Sequence, residues 1–304
     1  MAERSNSFPR QGILFCTVGR MNPPTSGHMI VIEDMFKLAR PVGGHVVVFL
    51  SDTSGREKLT LAQRNSGKIP KENPLPCERK KQMVTKMINR FLALHPDFAV
   101  PFEIICGNSV PVLFGYVART RPKQVVLCLG NEPEKVELWE TIRKGFFDDA
   151  VPRFTQKDTE EEKREKIQAA LAKSESRRQT YGGIDLKPHF IDRPPGSMSA
   201  TMVRNYVKKG NQATFNTIYE PYLEPENRKA LFTNIVNGTR RIEQNAQKND
   251  QRNAKIANSK TKTPKTAKTP KGAKSLSNIT NKLKAKTNKN RNNTKAASLA
   301  KRRT

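Results

Sequence analysis

Two short stretches of this chain hold the side chains that phosphate chemistry needs. The first runs Gly19-Arg20-Met21-Asn22-Pro23-Pro24-Thr25-Ser26-Gly27-His28. His28, three residues after Thr25, can set a proton donor beside a phosphoryl group, where charge develops in the transition state. The second is Asp192 to Asn205, DRPPGSMSATMVRN. Its hydroxyls, Ser197, Ser199 and Thr201, can cap backbone N–H groups or bond phosphate oxygens. Arg204 follows one turn later, on a face that reaches the same anion, and its guanidinium suits phosphate. Taken singly, each stretch would also suit an ordinary capped helix.

The elements around them decide between those readings. Ile13 to Val18 is an apolar run long enough for one buried strand. After the prolines, Met29, Ile30, Ile32, Met35, Phe36 and Leu38 recur at helical spacing, giving the strand, loop and helix that begin a βαβ unit. The N-terminus of that helix collects unpaired N–H groups and attracts phosphate. Further strands are expected at His45 to Leu50, Phe102 to Cys106, Gln124 to Leu129 and Lys187 to Ile191. Helices are expected from Pro76 to about Leu94 and over Val110 to Ala118, and one after Glu132 carries the single tryptophan, Trp139. The fold expected is α/β: a Rossmann-like five-stranded parallel sheet with helices on both faces, spanning residues 12–238. Ser51 to Pro76 reads as a long irregular connection bearing Arg56, Lys58, Arg64, Lys68 and Lys71 at a strand's carboxyl end. Residues 158–179 read as a charged helical insertion, with acids first and bases last. Gly210 to Asn237 suggests two short helices broken by Pro221 and Pro225, with Gly238 as the stop.

With both stretches in place, GRMNPPTSGH resembles the T/H-x-G-H signature of the HIGH-type nucleotidyltransferase superfamily. SMSATMVR resembles that superfamily's I-S-S-T-x-I-R element, with Ala200 in place of its second serine. Nicotinamide- and nicotinate-mononucleotide and pantetheine-phosphate adenylyltransferases have the loop most similar to NPPTSGH. The resemblance implies transfer of a nucleoside monophosphate, AMP from ATP first of all, to a phosphorylated small molecule, with release of pyrophosphate. In that scheme Thr25 and His28 hold the α- and β-phosphates, and Ser199 and Thr201 the β- and γ-phosphates, while Arg204 neutralises charge. Gly19, Arg20 and Met21 border the nucleotide, and Gly130, Asn131 and Glu132 stand where the family has Gly-x-Asp beside the sugar. Lys58 or Lys71 would meet the acceptor phosphate, and Trp139 could stack on the acceptor, although a lone tryptophan on an amphipathic helix also suits a core. Magnesium would be held mainly by the triphosphate, since no tight carboxylate cluster is visible. Two other readings stay open: a cytidylyltransferase using CTP, and a nucleotide-binding or nucleic-acid-packaging protein that has lost catalysis. Asn131 and Ala200 favour the last.

Composition divides the chain in two. The net charge of +28 is concentrated from Thr239 onward, where 20 Lys and Arg face only Glu243 and Asp250. With few large apolar residues, 239–304 is expected to be disordered and, through lysine–phosphate contacts, to offer salt-sensitive affinity for nucleic acid. Residues 1–11 are polar, without a signal-peptide core, and are also expected to be disordered. No apolar run approaches the roughly 20 residues that span a bilayer. The four cysteines, Cys16, Cys77, Cys106 and Cys128, lie far apart without a C-x-x-C pair, so neither zinc nor a disulfide is expected. An intracellular setting, cytoplasmic or nuclear and conceivably viral, fits that cysteine usage.

Overall fold

The computed structural model describes residues 12–56, 72–150, 152, 155 and 159–260. The chain separates into two units, Met1–Asp250 and Gln251–Thr304, and the first carries every strand described. The elements run β1 (Ile13–Gly19), α1 (Ser26–Ala39), β2 (His45–Ser51), β3 (Gly55–Arg56), β4 (Glu72–Asn73), α2 (Cys77–Leu94), β5 (Phe102–Gly107) and α3 (Ser109–Thr120). They continue with β6 (Gln124–Gly130), α4 (Pro133–Phe147), α5 (Glu160–Tyr181), β7 (Asp185–Ile191), α6 (Ala200–Lys208), α7 (Gln212–Tyr219) and α8 (Pro225–Lys260).

Five strands form one parallel sheet in the order β5-β2-β1-β6-β7, while β3 and β4 pair separately and antiparallel. The expected α/β architecture is therefore present. Strands this rich in Val, Leu and Ile need cover on both faces, because a parallel sheet has no solvated side. Successive residues of β1 accordingly point to opposite cores. Phe15 joins Val46, Val48, Leu50 and Ile104 under α1 and α2, and that core extends to α6, α7 and α8 through Val203, Phe215, Tyr219, Leu231 and Ile235. Leu14, Cys16 and Val18 face the other way, with Val47, Phe49 and Leu127, against Leu113 and Val117 of α3 and Ile142 and Phe146 of α4. Each such fully buried side chain contributes about 1.5–3 kcal/mol.

The sheet order creates an opening. The chain leaves β1 towards β2 and β5, then crosses back to place β6 on β1's other side, so the order reverses between β1 and β6. Their pairing runs only from Ile13↔Gln124 to Cys16↔Leu127, although β1 continues to Gly19 and β6 to Gly130. Beyond Cys16 the two strands diverge and leave a crevice at their carboxyl ends, where ligands of open α/β sheets bind.

The structure corrects several expectations. Trp139 is no stacking platform, because it is buried in the α3–α4 core. Gly238 does not end a helix. Pro225 opens α8, as proline can at a first helical position, and the helix runs unbroken to Lys260 with Thr239 and Ile242 buried. Apolar contacts at Leu231, Ile235 and Ile242 hold it down one stripe. The boundary at Thr239 is therefore too early for loss of structure. Residues 261–304, on which most of the nucleic-acid expectation rests, lie outside the described residues, as do residues 1–11.

The cysteines also depart from expectation. Cys77 and Cys106 form a disulfide with Cα atoms 5.9 Å apart, while Cys16 and Cys128 are free and buried. Twenty-nine residues separate the bonded pair in sequence, so spacing gave no cue. Tertiary packing joins them, because the start of α2 lies beside the end of β5. Cysteine usage thus offers no argument for a reducing compartment. No helix among the described residues is long and apolar enough to cross a membrane.

Candidate functional site

The loop from Gly19 to Pro24 leaves β1 at the mouth of the crevice and is held from several sides. Asn22 closes a two-bond clamp on Leu75, its Nδ2 donating to the carbonyl at 2.8 Å and its Oδ1 accepting from the amide at 3.0 Å. The Arg204 guanidinium donates to the Asn22 carbonyl at 2.6 Å. Lys80, fully buried on α2, donates to the carbonyls of Arg20, at 3.1 Å, and Ser51. The Tyr219 hydroxyl donates to the carbonyl of Pro24. Within the loop Met21 takes φ 41°, a left-handed conformation that non-glycine residues seldom adopt outside constrained sites.

Thr25 caps α1, and its neighbourhood fixes the chemistry of His28. The Thr25 backbone N–H donates to His28 Nδ1 at 3.1 Å, and Thr25 Oγ1 lies 2.8 Å from the same nitrogen. A backbone N–H can only donate, so Nδ1 presents its lone pair and the neutral ring carries its proton on Nε2. Burial, then the positive charges of Arg193 and Lys135, push the imidazole down to about 3. At neutral pH His28 is therefore an uncharged hydrogen-bond donor on the wall of the crevice.

The second stretch closes over the first. Met198 N donates to Ser26 Oγ at 3.3 Å, and a Cβ on Gly27 would lie 3.2 Å from the Met198 carbonyl and 3.6 Å from the Arg193 side chain. Glycine at that position lets the two segments meet. Ser199 caps α6, accepting from Met202 N at 3.2 Å. Arg204, one turn on and nearly buried, donates to Thr201 Oγ1 at 3.0 Å as well as to Asn22. Burial pushes its proton affinity down, Glu72 opposes this, and Arg20 adds to it.

The crevice is a cavity of about 350 Å³. The predicted residues Gly19, Arg20, Met21, His28, Gly130, Ser199, Thr201 and Arg204 all line it. Thr25 lies just beneath, buried and bonded to His28. Asn131 does not line it: its Nδ2 donates to Asp192 Oδ1 at 2.9 Å and its backbone N–H to the Ile191 carbonyl, tying β6 to β7. Trp139 is in the core, and Lys58 and Lys71 lie outside the described residues.

The lining also holds Glu132, which ends the Gly130-Asn131-Glu132 element, and charged residues that the sequence reading did not single out, among them Glu134, Lys135 and Arg193. Arg193 Nη1 pairs with Glu132 Oε1 at 2.8 Å, while Arg193 Nε and Glu132 Oε2 are buried with no partner among the described residues. The Glu132 carboxylate folds so tightly against Gly130 that a Cβ there would collide with Oε2. Burial, then Arg193, lowers the proton affinity of Lys135. Lys135 lies in the first turn of α4 after β6, and Arg193 follows Asp192 after β7, so both flank strand ends, but a charge there carries no sequence mark that separates a cavity wall from solvent. The wall thus sets four cations, Arg20, Lys135, Arg193 and Arg204, against Glu132 and Glu134, a balance that favours a polyanion.

No family model and no curated protein matches this chain. Solved structures with a similar arrangement include TmcAL from Thermotoga maritima bound with alpha-thio ATP, at 14% identity and TM-score 0.36, covering 75% of this chain and 56% of that one. They also include a macrolide-efflux protein from Streptococcus pneumoniae, at 12% identity and TM-score 0.32, covering 69% and 55%. The chain thus spans just over half the length of each. At these scores too little geometry is shared to transfer the role of any residue.

Proposed function

We propose that this protein is a nucleotidyltransferase that moves a nucleoside monophosphate, AMP from ATP first of all, onto a phosphorylated small molecule. The reading rests on one observation. His28, Ser199, Thr201 and Arg204, from two segments some 170 residues apart, line a single cation-rich cavity at the carboxyl ends of β1 and β6. An oxygen of the acceptor phosphate attacks the nucleotide α-phosphorus, the bond to the bridging oxygen of the β-phosphate breaks, and pyrophosphate leaves. Little covalent chemistry falls to the protein, so catalysis is positioning and charge stabilisation.

Roles follow from chemistry. Neutral His28 donates Nε2–H to an α-phosphate oxygen without needing to titrate. The N-termini of α1 and α6 supply backbone N–H groups to the phosphates, and Ser199 and Thr201 add hydroxyls. Arg204 braces the β1 loop and balances charge. Arg193 and Lys135 complete the polyphosphate clamp once phosphate oxygens replace Glu132 as the partner of Arg193. No three His, Cys, Asp or Glu side chains among the described residues converge on a metal site, and Glu132 is already paired. Magnesium, where it takes part, would arrive with the triphosphate.

Pyrophosphate release, followed with ATP and with CTP against a panel of phosphomonoesters, tests the reading. Release with ATP and one acceptor supports it, and release only with CTP shifts it to a cytidylyltransferase. Nucleotide binding without release would leave a catalytically silent pocket. Failure of both nucleotides to bind would remove the proposal.

A further inference from the structure

A second recess of about 270 Å³ lies between the β3–β4 ribbon and α8, lined by Ser54, Asn73, Pro74, Arg241, Ile242 and Asn245 among others. Asn73 belongs to both cavities, since it also lines the crevice at the strand ends. It is 3% exposed, and its Nδ2 has no partner among the described residues. An unpaired buried amide donor is costly, so such a group in a native fold calls for a ligand or an ordered water. The position of Asn73 is also fixed. Two residues later Leu75 is clamped by Asn22, and the next residue, Pro74, packs against α8 so closely that a Cβ on Gly238 would collide with its carbonyl oxygen.

The rim of the recess has one sign. Arg241 is exposed on α8 with no acidic partner among the described residues, and Asn245 stands one turn beyond it. No carboxylate is among the described residues that line the recess. A guanidinium, two amides and the Ser54 hydroxyl surround a floor of Pro74 and Ile242, and that set of donors recognises an anionic oxygen group.

We propose that this recess is the acceptor subsite of the nucleotidyl transfer. It would hold a second anionic group, a phosphate or carboxylate, at the far end of the acceptor from the phosphate that reacts. The inference rests on the nucleotidyl-transfer reading. Asn73, standing between the cavities, donates its free Nδ2–H to the acceptor, and Arg241 and Asn245 take the anionic end. Acceptors with an anionic group at each end are preferred, and those with an uncharged far end bind more weakly.

Inorganic phosphate is the probe. Full-length protein is titrated with it, with and without a saturating non-hydrolysable ATP analogue in the main crevice, while the side-chain amide signals of Asn73 and Asn245 are followed by NMR. Saturable shifts at both residues are expected in either condition, weakened at least tenfold by Arg241→Gln, and the Asn245 shift is expected to vanish in Asn73→Asp, where the Asn73 amide is itself gone. Arg241 is exposed, so its variant keeps the fold even if the aspartate variant does not. Absence of saturable shifts, or equal affinity in Arg241→Gln, overturns the proposal. The analogue separates the two ideas: if it leaves the Gly130 backbone amide unmoved, the nucleotide reading fails, whereas the phosphate titration read at Asn245, which lines the recess and not the crevice, judges the recess alone.

Discussion

The two walls of the crevice are built from different materials. On the β1 side, the polar lining comes mostly from groups already held in place: the N-termini of α1 and α6, the hydroxyls of Ser199 and Thr201, a histidine oriented by the residue that caps its own helix, and Arg204 bonded to Asn22 and Thr201. On the β6 side it comes from long charged side chains, Glu132, Lys135 and Arg193, that reach across open space and compensate one another. Backbone donors are fixed before a ligand arrives and cost nothing to reorganise. Long side chains must exchange partners, Glu132 for phosphate, when a polyanion enters. The first wall should therefore govern the chemical step, and the second should govern affinity and its dependence on pH.

Removing the imidazole should have the largest effect. His28→Ala is expected to lower turnover by about 100- to 1,000-fold while leaving nucleotide affinity within a few-fold, because in the proposed reaction Nε2–H would meet charge that develops in the transition state. A pyrophosphate-release assay beside equilibrium nucleotide binding reads both quantities. If affinity collapsed and turnover at saturation did not change, the division between the walls would be reversed.

The difference between the walls also explains what the sequence disclosed. Backbone-built sites leave local marks: a glycine where segments must meet, a capping hydroxyl, a proline-rich loop between an apolar run and a helix. Thr25 and Ser199 were legible for that reason, as were the five parallel strands, whose Val-rich runs have no other home than a doubly covered sheet. Arg193 and Lys135 left no such mark, since a charged residue beside a loop looks the same whether it lines a cavity or meets solvent. The Cys77–Cys106 bond and the true length of α8 were hidden for a related reason. Both depend on which surfaces meet: the start of α2 beside the end of β5, and Gly238 lying flat on Pro74. Trp139 misled because aromatic identity says nothing about direction.

The second wall gives an intermediate effect. Arg193→Ala removes a charge-assisted contact worth about 1.5–3 kcal/mol and leaves the Glu132 carboxylate unpaired in the cavity. Nucleotide affinity should fall by about 10- to 100-fold, and adding Glu132→Gln should recover part of the loss by relieving repulsion. The same change acts on His28. Its folded-state affinity for protons lies below the ordinary 6.5, at about 3, through burial and then Arg193 and Lys135. Between those values the unfolded chain binds the extra proton, so stability is lost as pH falls from 6.5 towards 3. Without Arg193 the imidazole titrates at higher pH, still below 6.5 because burial remains. The acid limb of the activity profile should then move to higher pH and the acid-destabilisation window should narrow. An unmoved acid limb would mean that Arg193 does not bear on His28.

The smallest effect concerns what holds the first wall in place. Lys80 bonds to the backbone carbonyls of Arg20 and Ser51, and Lys80→Met keeps the stem while leaving both acceptors unsatisfied, at about 1–3 kcal/mol. Some of that is offset, because burial already disfavours the ammonium and pulls its titration down from 10.5 to about 8. A melting temperature lower by a few degrees at about pH 7 is expected, with a modest rise in nucleotide KM as the Gly19–Pro24 loop loosens. The pH dependence separates a charged clamp from simple packing. Below pH 8 Lys80 is charged in both states and bears its full desolvation cost. Between 8 and 10.5 only the unfolded chain keeps the proton, so the wild-type protein gains stability from Lys80 as pH rises, and methionine cannot. The deficit of the variant should therefore grow from about pH 7 to about pH 9.5 in parallel thermal melts. A deficit that shrinks over that range would show that the ammonium charge itself, more than its hydrogen bonds, secures the loop.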